Sequence, residues 1–357
     1  MATGFIRPLV SAMTGYVPGE QPQDRRYIKL NTNENPYPPS PRVIAAVRAA
    51  AGDELRLYPD PLANALRDRA AAVYGLRREN ILAGNGSDEL LNLIVRACVG
   101  PGERVAYPYP TYSLYDTLVT LQEGEAVHVA YPPDFSLPSG LVEAHAPVTF
   151  LCHPNSPSGT AVPIEAIRAL AERVAGLLVV DEAYVDFAEA NALGLVHAYD
   201  NVIVLRTFSK SFALAGMRIG LAFAAPSIIA ELLKVKDSYN VTRLSIVAAT
   251  TALEDYGWME ANVARIRRTR QRLTEELRRR DYTVLPSQAN FVLARRPGRN
   301  LEPVYAGLKE RGVLVRYFST PELADALRIS VGTDEEVDAL IEALDDVRAW
   351  ERESVGA

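Results

Sequence analysis

The 357-residue sequence is poor in cysteine, in histidine and in long apolar runs. Its two cysteines, Cys98 and Cys152, both lie inside apolar runs, which is typical of buried thiols in a reducing compartment and not of a disulfide framework. Its four histidines show no helical metal-ligand spacing and have no cysteine pair nearby, so we predict no metal site. No segment approaches the roughly 18 consecutive apolar residues of a membrane-spanning helix.

We also expect neither a signal sequence nor a nucleic-acid-binding surface. The N-terminal stretch MATGFIRPLVSAM is interrupted by Arg7 and Pro8, so it lacks the continuous apolar core of a signal peptide. The 44 acidic residues outnumber the 38 lysines and arginines, and a net charge of -6 offers no basic surface for a nucleic-acid backbone. We therefore predict a cytoplasmic protein with neither nucleic acid nor membrane as a partner.

The sequence does have ample material for a folded core, because 48% of its residues are hydrophobic and only 23% are charged. From about residue 65 to 255, short apolar runs alternate with helical patterns. This alternation predicts an α/β fold, with βα units around a mostly parallel sheet and helices on both faces. The apolar runs are ILAGNG, ERVAYPYP, EAVHVAYP, VTFLCHP, LLVVDEAY, NVIVLRTFSK and RIGLAFAAP. We expect the ligand at the carboxyl ends of such strands.

The alternation of apolar runs and helical patterns changes at both ends of the chain. A length of 357 residues favours about two domains, at roughly 150 residues per domain. Residues 1–40 are rich in Pro, Gly, Asn and Gln and are predicted to form an arm that lies on other structure. Residues 41–255 are predicted to form the large domain, and residues 256–357 a smaller α+β domain. The basic helix WMEANVARIRRTRQRLTEELRRR in that last part also contains Glu260, Glu275 and Glu276, so we interpret it as a solvated face.

Charged residues follow two of the predicted strands. Asp181 comes directly after the apolar LLVV, and a carboxylate at the end of a central strand is costly to bury without a cationic partner. Lys210 ends NVIVLRTFSK, where an amine loses solvation and becomes nucleophilic. Arg218 follows after small residues that permit a tight turn, which brings a second cation toward the same place. A helix N-cap for Asp181 and a surface lysine for Lys210 are the alternatives.

A third strand is followed by a glycine-rich turn. In ILAGNGSDELLNLIV, Gly84 and Gly86 allow close backbone approach, and Ser87 with the amides of the helix start can hold a phosphate. A dinucleotide fingerprint would need glycine where Glu89 stands, so the phosphate of a smaller ligand fits better. A simple strand-to-helix turn capped by Ser87 or Asp88 is the alternative.

A fourth strand leads into LCHPNSPSGT, where prolines and a glycine enforce a sharp, non-helical path. This path holds Asn155 so that its amide can reach a ligand, although a plain turn explains the composition equally well. Together the four strand ends suit a ligand with a phosphate, an aromatic nitrogen that pairs with a carboxylate, a ring hydroxyl and an aldehyde that bonds a lysine. Pyridoxal 5'-phosphate has these groups.

The chain also resembles a known family. LNTNENPYPPSP, RLYPDP, GNGSDELL, YPYPTYSLY, HPNSPSGT, VVDEAYVDF, RTFSKSFALAGMRIG, YNVTRLS and ALRISVGT occur in the order found in fold-type I pyridoxal-phosphate aminotransferases, and more narrowly in the histidinol-phosphate aminotransferase family. The resemblance covers nearly the whole chain. It implies the fold of these enzymes, with a mostly parallel large domain and a smaller α+β C-terminal domain.

The resemblance implies a role for each cofactor-binding residue. Lys210 is the lysine that bonds the cofactor aldehyde and later acts as general base, and Asp181 is the partner of the ring nitrogen. The residues implied to hold the rest of the cofactor are Asn155 and Tyr184 at the ring oxygen, Tyr112 stacked on the ring, and Gly86, Ser87, Asp88, Ser209 and Arg218 at the phosphate.

The resemblance also implies substrate contacts and a homodimer with shared sites. Tyr58 of one subunit reaches the cofactor phosphate of the other. Arg328 in ALRIS binds the substrate's anionic group, Arg316 in LVRYF serves the substrate phosphate, and Tyr16 in the arm closes over the substrate.

The implied reaction belongs to histidine biosynthesis. L-histidinol phosphate and 2-oxoglutarate give imidazole-acetol phosphate and L-glutamate with ping-pong kinetics. Three alternatives stay open at this point: an aromatic amino acid aminotransferase, a threonine-phosphate decarboxylase, and a non-catalytic binding protein of the same fold. A binding protein has no need of a proton-shuttling lysine, so the complete residue set disfavours the last.

Overall fold

The computed structural model describes residues 4–355, with side chains for residues 4–349. The outermost parts of the predicted arm and small domain, residues 1–3 and 356–357, lie outside the described residues. The strands are β1 Ile28–Lys29, β2 Ile81–Gly84, β3 Arg104–Tyr109, β4 Glu125–Ala130, β5 Val148–Cys152, β6 Leu177–Asp181, β7 Val202–Thr207, β8 Gly220–Phe223, β9 Thr283–Val284, β10 Phe291–Arg295, β11 Val313–Leu314, β12 Arg316–Tyr317 and β13 Ala326–Ser330. The α-helices are α1 Pro8–Ala12, α2 Pro41–Ala50, α3 Asn64–Tyr74, α4 Ser87–Cys98, α5 Leu114–Leu121, α6 Gly140–Glu143, α7 Ile164–Arg173, α8 Pro226–Val235, α9 Arg243–Glu254, α10 Tyr256–Arg278, α11 Glu302–Glu310 and α12 Asp334–Val355.

The largest sheet has seven strands in the order β2-β8-β7-β6-β5-β3-β4. The pairs from β7 through β6, β5 and β3 to β4 are parallel, whereas β8 is antiparallel to both β2 and β7. Each apolar run that the sequence predicts as a strand lies in this sheet. The mostly parallel α/β fold is therefore confirmed, and the reversed direction of β8 is the feature that alternation alone does not reveal.

The central strands are apolar along their whole length because helices cover both faces of the sheet. Every residue of β5 and of β7 is buried. A sheet solvated on one face would instead alternate apolar and polar residues. The core residues around this sheet fall into one group that includes residues of α3, α7 and α9 and another that includes residues of α4, α5 and α8. A polar side chain at the end of such a strand is therefore close to dry surroundings.

The C-terminal part contains a second, four-stranded antiparallel sheet in the order β12-β13-β10-β9. It packs with α10 and α11, and α12 packs against both of these helices, which agrees with an α+β arrangement. Strand β1, from the predicted arm, pairs in parallel with β11. The arm thus joins the C-terminal part through backbone hydrogen bonds instead of only lying on it, while the domain boundaries themselves stay predictions. None of the helices described between residues 4 and 355 combines the length and apolar character needed to cross a membrane.

Candidate active site

A cavity of about 210 Å³ opens at the carboxyl ends of β5, β6 and β7. It is bounded by the start of α4, by the arm and by β13. The lining residues that the sequence predicts are Tyr16, Ser87, Asp88, Tyr112, Asp181, Tyr184, Ser209, Lys210, Arg218 and Arg328. The structure thus brings together side chains from six separate stretches of the chain.

Asp181 is the last residue of β6 and is only 2% exposed. One carboxylate oxygen accepts a hydrogen bond from the Tyr115 hydroxyl at 2.9 Å, and the other accepts one from the backbone N–H of Ala183 at 3.2 Å. Burial raises the pKa of Asp181 to about 6, although both hydrogen bonds act in the opposite direction. Both donors are neutral, so this buried carboxylate still attracts a cationic N–H group.

Lys210 lies just beyond β7, with its ammonium group in the cavity. Its Nζ is 3.4 Å from the backbone oxygen of Thr32 and 5.7 Å from the centre of the Tyr184 ring. Burial lowers the pKa of Lys210 to about 8, and the positive charge of Arg328 acts in the same direction. A lysine with such a pKa is partly neutral near pH 8, which is the form that attacks an aldehyde.

The glycine-rich turn brings the first residues of α4 to the cavity. Gly86 has a φ of 83°, and a Cβ there would lie 2.7 Å from the guanidinium of Arg218. A Cβ on Gly220, at the start of β8, would lie 2.7 Å from the backbone N of Ser87. Two glycines are thus needed for β8, Arg218 and the helix start to approach each other. The N-terminus of α4 has no side-chain cap, and such a helix start suits an anion.

Arg218 stands opposite this helix start because β8 runs antiparallel to its neighbours, which brings its first residues to the same edge of the sheet. The guanidinium donates to the Ser209 hydroxyl at 3.2 Å and to Asp88 at 3.0 Å. Asp88 also accepts from the Tyr112 hydroxyl at 3.0 Å. A cation, a hydroxyl and a helix N-terminus therefore converge on one end of the cavity.

The residues predicted at the ring oxygen differ in their positions. Tyr184 lines the cavity, and its hydroxyl accepts a hydrogen bond from Asn33 at 3.0 Å. Asn155 is buried outside the lining residues; its amide donates to Pro110 and Ser158, and its oxygen accepts from Thr111. Its predicted contact with a ligand stays a prediction.

The predicted substrate residues lie toward the arm. Arg328, on β13, lines the cavity and donates to the Ser156 hydroxyl at 3.2 Å and to the backbone oxygen of Asn31 at 2.9 Å. Arg316 is its register partner on β12 but is not among the cavity-lining residues. Its guanidinium donates to the backbone oxygens of Val17 and Pro18. Arg316 thus holds the part of the arm that adjoins Tyr16.

Tyr58 lies away from the cavity of its own chain. Its side chain is 77% exposed, and its ring stacks on that of Tyr239 with centroids 4.4 Å apart. The predicted contact with the site of a second subunit therefore stays a prediction.

Several lining residues were given no role from the sequence. Thr32 and Asn33 come from LNTNENPYPPSP, and Cys152 and Ser156 flank the asparagine turn. Tyr115 lies behind the site, where its hydroxyl donates to Asp181 and its ring meets that of Tyr112 edge to face. The motif that contains Thr32 and Asn33 was a signal that could have found them, whereas no pattern indicates that the Tyr115 hydroxyl points at Asp181.

The comparisons with known proteins agree with this site. The family model described as aminotransferase class I and II matches residues 25–344, which defines the protein as an aminotransferase of this class. Histidinol-phosphate aminotransferase 1 of Nostoc sp. is 46% identical over 97% of this chain and 98% of its own. The histidinol-phosphate aminotransferase of Syntrophotalea carbinolica is 48% identical over 96% of this chain and 99% of its own. The chain belongs to the histidinol-phosphate aminotransferase family.

A solved structure supports the same relationship. The histidinol-phosphate aminotransferase of Sinorhizobium meliloti in complex with pyridoxal-5'-phosphate superimposes with a TM-score of 0.89. It is 30% identical, and the match covers 97% of this chain and 98% of that one. The fold is therefore that of the fold-type I pyridoxal-phosphate enzymes.

Proposed function

We propose that this chain is a pyridoxal-phosphate-dependent transaminase that acts on L-histidinol phosphate and 2-oxoglutarate, giving imidazole-acetol phosphate and L-glutamate in histidine biosynthesis. The observation that carries the proposal is that Lys210, Asp181 and Arg328 line one cavity in a chain of this family. This combination offers a base, an anion and a cation where a zwitterionic or anionic amine can enter.

The residues of the cavity fit pyridoxal phosphate. The buried carboxylate of Asp181 suits a protonated ring nitrogen, because its hydrogen bonds come from neutral groups. The start of α4, Ser209 and Arg218 suit a phosphate. Tyr112 offers a ring to stack on, and Tyr184 offers a hydroxyl. When bound, the cofactor supplies an aldehyde that bonds the substrate amine and a ring that withdraws electrons from the adjacent carbon.

Lys210 has the properties of the proton carrier at the substrate's Cα. Its pKa of about 8 places it near the pH at which a general base both accepts and returns a proton efficiently. Its ammonium has a single backbone acceptor, Thr32, within the described residues, so little holds the side chain away from the middle of the cavity. Arm residue Tyr16 packs edge to face on Tyr112 and helps to exclude water from this space.

The two arginines favour a substrate with two anionic centres or a dianion. Arg328 makes its hydrogen bonds to neutral groups, so its charge is available to a carboxylate or phosphate. Arg316 adds a second positive charge next to it, and that charge also lowers the pKa of Arg328 after the larger effect of burial. Phenylalanine and tyrosine carry one carboxylate and no phosphate, so they would use this pair less completely.

The proposal includes a homodimer in which Tyr58 completes the phosphate site of the other subunit. The exposed pair of Tyr58 and Tyr239 supports it, because two large aromatic rings on a surface are typical of an interface. Cytoplasmic location is proposed with it, from the reducing-compartment pattern of the cysteines.

An amino-donor panel with 2-oxoglutarate tests the function. We expect glutamate to form faster from histidinol phosphate than from phenylalanine or tyrosine, compared as kcat/KM. Equal or reversed values would make the chain an aromatic amino acid aminotransferase. Purified protein should also absorb visible light through a lysine-bound cofactor, and the Lys210→Ala variant should lose this band while it keeps its fold. A band that survives this substitution would remove Lys210 from the cofactor site.

A further inference from the structure

The hydroxyl of Tyr115 is the side-chain partner of Asp181, although Tyr115 lies on α5 and does not line the cavity. Its phenolic oxygen donates to Asp181 Oδ2 at 2.9 Å. Tyr115 is fully buried, and Asp181 is 2% exposed. Water therefore has little access to the pair, and the hydrogen bond cannot be exchanged for one to solvent without opening the core.

Neighbouring rings fix the position of this hydroxyl. The Tyr115 ring stacks on Phe150 with centroids 4.7 Å apart and meets Tyr107 and Tyr112 edge to face, each at 5.6 Å. Phe150 belongs to β5, the strand next to that of Asp181. A tyrosine packed on three sides has one orientation, so its hydroxyl serves as a fixed donor.

The hydrogen bond from Tyr115 acts on the pKa of Asp181 in the direction opposite to burial and to the neighbouring negative charges. Burial raises the pKa of Asp181, and the negative charges of Asp88 and Glu182 raise it further. Tyr115 and the backbone N–H of Ala183 lower it. Burial and the charge of Asp181 raise the pKa of Tyr115 itself well above 10, so the phenol keeps its proton and remains a donor throughout the range in which enzymes of this kind work.

We propose that Tyr115 is a positioning residue for Asp181: its hydroxyl orients the carboxylate and keeps it anionic, so that Asp181 can hold the cofactor's ring nitrogen in the protonated state. This inference rests on the proposed function and extends it to a residue that acts through Asp181. A hydrogen bond from a donor stabilises a carboxylate more than it stabilises the neutral acid. In dry surroundings this difference decides whether Asp181 and the ring nitrogen share the proton or form an ion pair.

The Tyr115→Phe variant removes the hydroxyl and keeps the ring. Tyr107→Phe is the matched control, because Tyr107 is also fully buried in the same aromatic group but donates to Asp116 instead. Carbon-13 spectra of the Asp181 carboxyl in the cofactor-free protein follow its titration directly. We expect its pKa to rise by about one unit in Tyr115→Phe, the scale of one hydrogen bond to a charged group, and to stay unchanged in Tyr107→Phe. An unchanged Asp181 titration in both variants would refute the proposal.

The second readout uses the holoenzyme with nitrogen-15 in the cofactor ring. Tyr115→Phe should shift the ring-nitrogen signal toward the unprotonated form near pH 7.5 and lower kcat about tenfold with a small change in KM, since each pKa unit corresponds to about a factor of ten. Tyr107→Phe should leave both unchanged. A ring nitrogen that stays fully protonated in Tyr115→Phe overturns the proposal even if activity falls.

These readouts separate failure of the inference from failure of the proposed function. If the parent protein binds no pyridoxal phosphate, the function is wrong, and the Asp181 titration still reports the hydrogen bond. If Tyr115→Phe does not fold, 3-fluorotyrosine at position 115 keeps the ring and the hydroxyl and makes the hydroxyl a stronger donor. The Asp181 pKa should then fall, and a rise or no change would contradict the proposal.

Discussion

Replacing Lys210 with methionine is expected to stabilise the cofactor-free protein. Methionine fills a similar volume without charge, whereas the Lys210 ammonium is held in a site that lowers its pKa from 10.5 to about 8, through burial first and the charge of Arg328 second. At about 1.4 kcal/mol per pKa unit, that difference corresponds to a destabilisation of at most about 3.5 kcal/mol at neutral pH. Partial access of water through the cavity reduces the value, so we expect a gain of about 1 to 3 kcal/mol in the free energy of unfolding.

The stability difference between the variant and the parent depends on pH, because Lys210 loses its proton at a different pH in the folded and in the unfolded chain. Below pH 8, Lys210 is protonated in both the folded and the unfolded chain, so the full penalty applies. Between pH 8 and 10.5 the folded protein releases the proton while the unfolded chain keeps it, and the stability of the parent rises with pH. The advantage of Lys210→Met should therefore be largest below pH 8 and shrink steadily toward pH 10.5.

Urea unfolding of the cofactor-free parent and variant at half-unit steps from pH 6.5 to 10 measures this difference. Lys234→Met is the control, because Lys234 is 67% exposed and forms only a surface ion pair with Glu231. It should change stability by less than about 0.5 kcal/mol at every pH. A variant at position 210 that is no more stable than the parent, or whose advantage does not vary with pH, would show that the lysine is not desolvated.

Three further changes test other parts of the site. Gly220→Ala should lower stability by about 1 to 3 kcal/mol and weaken cofactor binding, because the new Cβ would meet the backbone N of Ser87 at 2.7 Å. Unfolding and cofactor titration measure both effects, with Gly216→Ala as the control because a Cβ at Gly216 meets open space. Arg316→Ala should reduce the kcat/KM preference for histidinol phosphate over phenylalanine by about 1.5 to 3 kcal/mol, the scale of a charged hydrogen bond, and an unchanged ratio would remove Arg316 from the substrate site. Tyr58→Ala mixed with Lys210→Ala should give hybrid dimers more active than either variant alone, since one site is then complete; no gain on mixing would argue against a shared site.

The strand ends were predictable from the sequence because continuous apolar runs leave few interpretations. Asp181 directly follows LLVV, and Lys210 follows the strand that VIVL begins, so both residues are predicted at an edge of a buried sheet. Parallel strands bring such edges together. The structure places Asp181 and Lys210 in the same cavity, as these strand ends predict. The direction of β8 was not predictable in the same way, because a short apolar run reads the same in either direction.

Contacts made by single atoms were the part that patterns could not supply. No pattern indicates that the side chain of Asn155 bonds to Pro110, Ser158 and Thr111, and its contact with a ligand stays a prediction. Gly220 was an ordinary strand residue in the sequence, and its need to be glycine follows only from the approach of the α4 start. Hydrogen-bond partners and close approaches depend on tertiary packing, which no local spacing encodes.

Removal of water shifts the pKa values of Asp181 and Lys210 in opposite directions. It raises the pKa of Asp181 from 3.8 to about 6 and lowers that of Lys210 from 10.5 to about 8. The proton affinities of the two groups thus approach each other from both sides of neutrality, so moving a proton within the cavity requires much less free energy than between the same groups in water. A wetter cavity would restore the ordinary values and leave Lys210 as a firmly protonated cation. Enclosure of the site by Tyr16 and the arm therefore helps to keep the pKa of Lys210 low.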